Sequence, residues 1–388
     1  MAVFAWGFGK LGQLGNGELR SSLLPVRVKI GKNGDRPAAV YTGGLFTAIL
    51  TLKGDVYVCG CGKYGRLGSG DEQDRCVPLK VSPAKDAKVS QLAAGSWHTC
   101  AVTFMGRLYS WGYNSKHNVL GRECDQKCSF NPGLVPSVTK IQVKTVSCGH
   151  NFTLVCTTEG QVYSWGCGRY GVLGHGSEEC VFEPQQVECL SMIRVKEVNA
   201  GYAHCGVVSE DGRVFMFGKG WDGALGFGHD VSNKLLPTWL NSSELNSVEI
   251  VDIKCSVGEH RGHTLALSSC GAVFAWGSNY KGKLGLGDQE NRLVPTRIPS
   301  NFFQNQPVIA ISAGGIHSGA ISQDGRVWTW GCGKDGRLGH SEMSPKKAHY
   351  YHSVKPKVVS ELENVRGERA AKQISCSHYH TVVLLDLP

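Results

Sequence analysis

The sequence predicts an all-β chain: a seven-bladed β-propeller of four-stranded antiparallel blades, one blade closed by both termini. Three observations predict it. Gly accounts for 51 of 388 residues, about 13% against an ordinary level of about 7%, with no collagen period, so the chain turns tightly and often. An aromatic–glycine pair that ends a strand pattern recurs from one end of the chain to the other. No stretch sustains a capped helical period over about twelve residues or more, so helices are at most minor.

The pair Trp6-Gly7 recurs as Cys59-Gly60, Trp111-Gly112, Trp165-Gly166, Phe217-Gly218, Trp276-Gly277 and Trp330-Gly331, at steps of 53, 52, 54, 52, 59 and 54 residues. A fixed period of this size means one supersecondary unit per repeat. The run before each anchor alternates, as in Arg107-Leu108-Tyr109-Ser110-Trp111 and Arg326-Val327-Trp328-Thr329-Trp330, which predicts a strand. A two-residue turn precedes it (Lys53-Gly54, Met105-Gly106, Glu159-Gly160, Asp211-Gly212, Cys270-Gly271, Asp324-Gly325), where glycine supplies the positive φ of a tight hairpin. Upstream lies a second strand, such as His98-Thr99-Cys100-Ala101-Val102. A third lies before that, such as Val195–Ala200, ending at Gly201. Downstream of the anchor come a glycine-rich turn and a Pro-led fourth strand, such as Pro25-Val26-Arg27-Val28.

Four such strands, seven times, predict a propeller covering residues 1–388 as one domain. The chain begins on an anchor strand, Val3-Phe4-Ala5-Trp6. It ends just after the strand that should precede one, Thr381–Leu385. One blade therefore takes two strands from each end, which covers the strand edges and locks the ring. On this reading no tail remains outside the propeller.

Composition narrows the function classes. Charged residues are 19% and apolar residues 41%, a folded composition. No window holds 18 consecutive apolar residues, which excludes a membrane helix, and no membrane partner is expected. The N-terminus lacks a secretory pattern. An intracellular location, cytoplasmic or nuclear, is expected, with the 16 Cys as free thiols. The net charge of +9 is a mild bias without the Lys/Arg cluster of a nucleic-acid arm. Cys124 and Cys128 are four apart with Cys180 far downstream, but the set lacks a fourth ligand and no Cys-x-x-Cys occurs. No metal and no cofactor are expected. Gly7–Gly12 and Gly331–Gly336 match Gly-x-Gly-x-x-Gly, yet Leu-Gly follows where a dinucleotide site needs a helix. No Walker loop, nucleophile triad or paired carboxylate motif is present, so neither catalysis nor a small-molecule substrate is expected.

The Gly-x-x-His turns supply His98, His204, His317 and His380, with His263 two residues late after Gly258. One per blade suggests a hydrogen bond tying strand to turn. These turns also gather at one rim, where a rigid scaffold presents binding loops. Trp97 and Tyr202 lie in such turns, Trp221 in Gly220-Trp221-Asp222-Gly223, and Trp239 after Pro237-Thr238. None fits the strand pattern, so each is a candidate anchor for a protein partner. The full candidate set is Trp97, His98, His150, Tyr202, Trp221, Trp239, Glu259, His263 and His380. From Gly339 to Ser377 the last repeat takes 38 residues, where most take 27–29. The extra segment, roughly 341–372, reads as an extended basic loop suited to an acidic partner, with Lys346, Lys347, Lys355 and Lys357.

Gly95-Ser96-Trp97-His98-Thr99, Gly160-Gln161-Val162-Tyr163-Ser164-Trp165-Gly166 and Gly9-Lys10-Leu11-Gly12-Gln13-Leu14-Gly15-Asn16-Gly17 resemble the repeat of the regulator of chromosome condensation family, across all seven copies. The resemblance implies a seven-bladed propeller. The family includes an exchange factor for the small GTPase Ran, domains of large ubiquitin ligases, kinase and ciliary scaffolds, and a plant ultraviolet-B photoreceptor. In the exchange factor, a wedge loop and charged residues of the Gly-x-x-His turns act on the GTPase. The matching wedge here, 124–135, carries Cys124, Asp125, Lys127 and Phe130, and His263 and His380 match functional histidines. The turns Ser96-Trp97-His98 and His150-Asn151-Phe152, however, lack the family member's carboxylates, and its basic nuclear tail has no counterpart. The photoreceptor needs a repeated Gly-Trp-x-His-Thr, which only Gly95–His98 approaches. The sequence therefore predicts a non-catalytic propeller that recruits a protein through rim loops. The alternative it leaves is a guanine-nucleotide exchange factor for a Ran-like GTPase; chromatin is a further partner class implied by the resemblance.

Overall fold

The computed structural model describes residues 1–31, 35–84, 87–114, 116–124, 127–258, 261–342, 350–366 and 370–387. Four predicted site residues, Asp125, Glu259, Lys346 and Lys347, lie outside the described residues. Seven four-stranded antiparallel sheets form the ring. Blade 1 runs Pro37–Thr42, Phe46–Thr51, Val56–Gly60, Arg75–Val81, and blade 2 Val89–Ala94, His98–Thr103, Leu108–Tyr113, Cys128–Leu134. Blade 3 is Val143–Cys148, Phe152–Thr157, Val162–Gly166, Val181–Gln186, and blade 4 Val195–Ala200, His204–Ser209, Val214–Gly218, Lys234–Trp239. Blade 5 is Ile250–Cys255, His263–Ser268, Val273–Gly277, Arg292–Arg297, and blade 6 Val308–Ala313, His317–Ser322, Val327–Cys332, His352–Val358. Blade 7 joins Ala371–Cys376 and His380–Leu385 to Ala2–Gly7 and Ser22–Arg27.

The expected closure is therefore present. Ala2 pairs with Leu385 and the register continues without a break to Gly7 opposite His380. Among the described residues, α-helix is confined to Ser243–Asn246 and Ser360–Arg366, and no helix is long and apolar enough to cross a membrane.

Seven apolar clusters hold the ring, each spanning two neighbouring blades. The arrangement follows from the alternation: each sheet has two faces, and each face packs on the next blade. The first strand of every blade lines the axis, enclosing a channel of about 200 Å³. Side chains there reach the next blade's backbone. Gln91 Oε1 accepts from Val146 N at 2.9 Å, Asn199 Oδ1 from Cys255 N at 2.7 Å and Ser375 Oγ from Thr42 N at 3.1 Å.

The repeated histidines form a second ring of ties. They bond between blades, where the sequence suggested a tie from strand to turn. Nε2 of His98, His204, His263, His317 and His380 meets the hydroxyl of Thr153, Thr264, Ser318, Thr381 and Thr47 on the following blade, at 2.8–3.0 Å. Each hydroxyl in turn donates to a carbonyl of the glycine turn before it: Val119, Ala224, Lys283, Arg337 and Gln13. The hydroxyl proton is thus engaged, so the histidine Nε2–H is the donor to it. The anchor indoles Trp6, Trp165 and Trp330 donate to the same carbonyls of Arg337, Val119 and Lys283 at 2.9 Å. Histidine, hydroxyl, indole and carbonyl make a clasp at the seam.

Candidate functional site

The seam between blades 3 and 4 lacks this clasp. Phe152 stands where His317 stands at the seam between blades 6 and 7, Cys205 replaces Thr381, and Phe217 replaces the indole of Trp6. The Cys205 thiol donates to Val172 O at 3.4 Å, and Phe152, Val172, Cys205 and Phe217 pack in one buried cluster. A groove of about 500 Å³ opens on the rim over this seam, lined by His117, His150, Asn151, Phe152, Cys167, Arg169, Tyr170, Tyr202 and Lys219, among others.

Two of the predicted residues meet in its wall. The rings of His150 and Tyr202 lie 4.1 Å apart, and Trp97 lies 6.1 Å from His150. Trp97 Nε1 donates to His150 Nε2 at 3.4 Å. The opposite wall is cationic and aromatic. Lys219 Nζ sits 4.1 Å from the Trp221 ring and 5.1 Å from Tyr170, and the Arg169 guanidinium 4.7 Å from Tyr170. Trp221 begins a single tight turn, Trp221–Gly223, in which Asp222 takes φ of 59°, and it is 59% exposed. Indole against ammonium at this range is a cation–π contact.

Burial pushes the His150 imidazole down to about 4. It is therefore neutral near pH 7, its acceptor Nε2 taken by the Trp97 indole, and offers the groove a ring face. Burial also lowers Lys219, offset in part by the charge of Asp222. The groove's positive charge then belongs to Arg169 and Lys219, and its apolar surface to Tyr170 and Tyr202, while Trp221 lines an adjoining pocket that shares Tyr202 and Lys219 with it.

The other predicted residues lie elsewhere. His98, His263 and His380 are buried in the clasps. Desolvation takes His98 and His380 down to about 3 and His263 well below the usual imidazole range. They are neutral seam donors, with no surface to offer at the rim. Trp239 is 43% exposed on the outer strand of blade 4. It pairs with Phe215, three residues from Gly218, which puts it about 10 Å along the strand from the groove. In the wedge segment, Cys128–Leu134 is the outer strand of blade 2, and Phe130 packs on Gly65. Lys127 is exposed, its carbonyl accepting from Asn114 N, and Cys124 Sγ donates to Cys128 O at 3.7 Å. The expected basic loop is partly regular structure. Lys355 and Lys357 belong to strand His352–Val358, Lys355 lying over Phe302 and Lys357 pairing with Glu342. Helix Ser360–Arg366, which buries Leu362, takes up more of the added length.

The sequence reading missed Arg169, Tyr170 and Lys219, and also a cluster beside the groove. The ligating atoms of His117, Cys167 and Cys180 all lie within 4.8 Å of one another. The signal was present in Phe152, Cys205 and Phe217, three departures from the repeat at one seam.

Seven four-stranded antiparallel blades tied at their seams define a seven-bladed β-propeller. The family model described as RCC1-like domain matches residues 2–383, and the chain belongs to that family. It is 32% identical over 342 residues to the ultraviolet-B receptor UVR8 of Arabidopsis thaliana, covering 88% of this chain and 75% of the receptor. For several further relatives, including ubiquitin-protein ligases, the chain spans 8% to 40% of their length. Among solved structures, human WBSCR16 superposes with a TM-score of 0.86 at 24% identity, covering 99% of this chain and 98% of that one. Prp20p of Saccharomyces cerevisiae superposes at 0.83 and 23% identity, covering 98% and 90%. These two likenesses are likenesses of fold.

Proposed function

We propose that the protein is a non-catalytic interaction propeller that holds an acidic protein segment in the groove between blades 3 and 4. One observation carries this reading: Tyr202 and Tyr170 line the same groove as Lys219 and Arg169, with exposed Trp221 beside it against Lys219, over a seam without the histidine clasp. Aromatic anchors beside cations favour a segment with carboxylates flanking an apolar side chain. Prp20p is described with binding to Gsp1p and to histones. An exchange role like that of the Ran factor would need exposed charge in the rim turns. Here the turns at 96–98 and 150–152 carry no carboxylate, and His263 and His380 are committed to the seams.

The test is affinity capture from cells with the wild-type chain and with Tyr202→Ala, Trp221→Ala and Trp239→Ala. Partners with acidic segments should be lost from the first two variants and kept by Trp239→Ala. Identical partner sets in all four would refute the groove. Release of a fluorescent GDP analogue from a Ran-like GTPase should not accelerate when the chain is added at micromolar concentration; acceleration would favour exchange.

A further inference from the structure

We infer that His117, Cys167 and Cys180 form a zinc site with three protein ligands and a fourth position open to the groove. The site stands whether or not the groove takes a protein segment. The strand register builds it. Gly166 pairs with Val181 at the end of blade 3, so the next residues outward on each strand, Cys167 and Cys180, face each other across the strand ends. His117 comes from the preceding blade. The side chain of Asn118 donates to Phe182 O at 2.7 Å, which fixes the residue after His117 to the residue two beyond Cys180. Asn118 is itself held, its Oδ1 accepting from Asn114 Nδ2 at 2.9 Å.

The result is compact. His117 Nδ1 lies 3.1 Å from Cys180 Sγ, and the three ligand atoms lie within 4.8 Å of one another. With Zn–S near 2.3 Å and Zn–N near 2.0 Å, the edges of a zinc tetrahedron are about 3.5–3.8 Å. Small side-chain rotations therefore suffice. Two thiolates and one imidazole suit zinc better than a hard cation. Binding replaces two S–H bonds by two Zn–S bonds and releases two protons to solvent.

A second cluster, His98, Cys100 and Cys148, serves as a contrast. It is wholly buried, and His98 Nε2 is engaged with Thr153. The members of the proposed site are half-buried, and His117 and Cys167 line the groove. A water, or a carboxylate of an occupant, can therefore complete the coordination. The pair that the sequence singled out, Cys124 and Cys128, has no part in it.

The experiment titrates the reduced full chain with Co²⁺ and then Zn²⁺. One Co²⁺ per chain should bind with the intense visible bands of a tetrahedral site and thiolate-to-metal charge transfer, and Zn²⁺ should displace it. Cys167→Ser with Cys180→Ser should abolish the spectrum. Cys124→Ser with Cys128→Ser should leave it unchanged, and His117→Ala should weaken affinity by about tenfold or more. No tetrahedral spectrum in the wild type, or a spectrum that survives loss of Cys167 and Cys180, overturns the site. Should the double variant fail to fold, alkylation of the wild-type chain mapped by mass spectrometry decides. Zn²⁺ should slow modification of Cys167 and Cys180 by about tenfold or more while exposed Cys189 and Cys270 react as before. Equal rates with and without Zn²⁺ overturn the proposal.

Discussion

The seams on either side of blade 7 and the seam between blades 3 and 4 solve one packing problem in two ways. At the former, His317 and His380 each bridge to a hydroxyl on the next blade, and the Arg337 carbonyl receives both Thr381 Oγ1 and the indole of Trp6. At the latter, Phe152, Cys205 and Phe217 pack together and the weaker thiol bond from Cys205 to Val172 O stands in place of the clasp. The first arrangement fixes geometry through directional bonds in a low-dielectric seam. The second keeps the burial but gives up that constraint, and the groove lies over it. The groove therefore opens over a seam where the repeat departs from its pattern.

The sharpest way to break this comparison is to remove one clasped seam. Deleting 371–388 takes two strands from blade 7 and exposes the apolar faces of blades 1 and 6. Loss of a cooperative thermal transition is expected; an intact near-ultraviolet circular dichroism spectrum would contradict the closure. Acid comes next. An imidazole with a normal pKa of about 6.5 unfolded is held near 3 at His98 and His380 and near 4 at His204. Between those values the unfolded chain binds protons that the folded chain refuses. Stability should thus be full above about pH 6.5 and fall as pH drops toward 4, by up to about 1.4 kcal/mol per pH unit for each such histidine. Urea midpoints across this range measure the slope, and His380→Phe should make it shallower.

Single substitutions sharpen the contrast further. His317→Ala leaves a cavity and a buried hydroxyl oxygen without its donor and should cost about 3 kcal/mol, whereas Cys205→Ala should cost about 1 kcal/mol. Equal losses in denaturant unfolding would mean the clasp adds nothing beyond packing. The smallest effects belong to the surface. Trp221→Ala should weaken a bound partner about tenfold yet shift stability by less than about 0.5 kcal/mol. Calorimetry of binding and unfolding on one preparation separates the two.

The seven repeats, the hairpin glycines and the shared blade were legible because each depends on local pattern: alternation, a turn residue, a fixed period. The seams were less so. The histidine that recurs in five of the seven blades is visible in the chain, but its partner lies 55 residues on for His98 and 64 for His317, and no local rule names it. The same holds for His117, 50 and 63 residues from its two cysteines. Helix Ser360–Arg366 is too short to establish a period, so its residues read as loop. Trp221 and Tyr202 stood out because they broke the strand pattern. Lys219 and Arg169 did not, since a lone cation after a glycine turn is ordinary on a surface.

The pairing of Ala2 with Leu385 and of Gly7 with His380 has a consequence for how the ring can be tethered. The groove lies at the Gly218–His204 end of blade 4, which corresponds to the Gly7–His380 end of blade 7, and both chain ends leave from the other edge. A polypeptide fused at either end would start on the far face and leave the groove's rim unobstructed. Two such fusions would begin side by side, within reach of each other and turned away from whatever the rim holds.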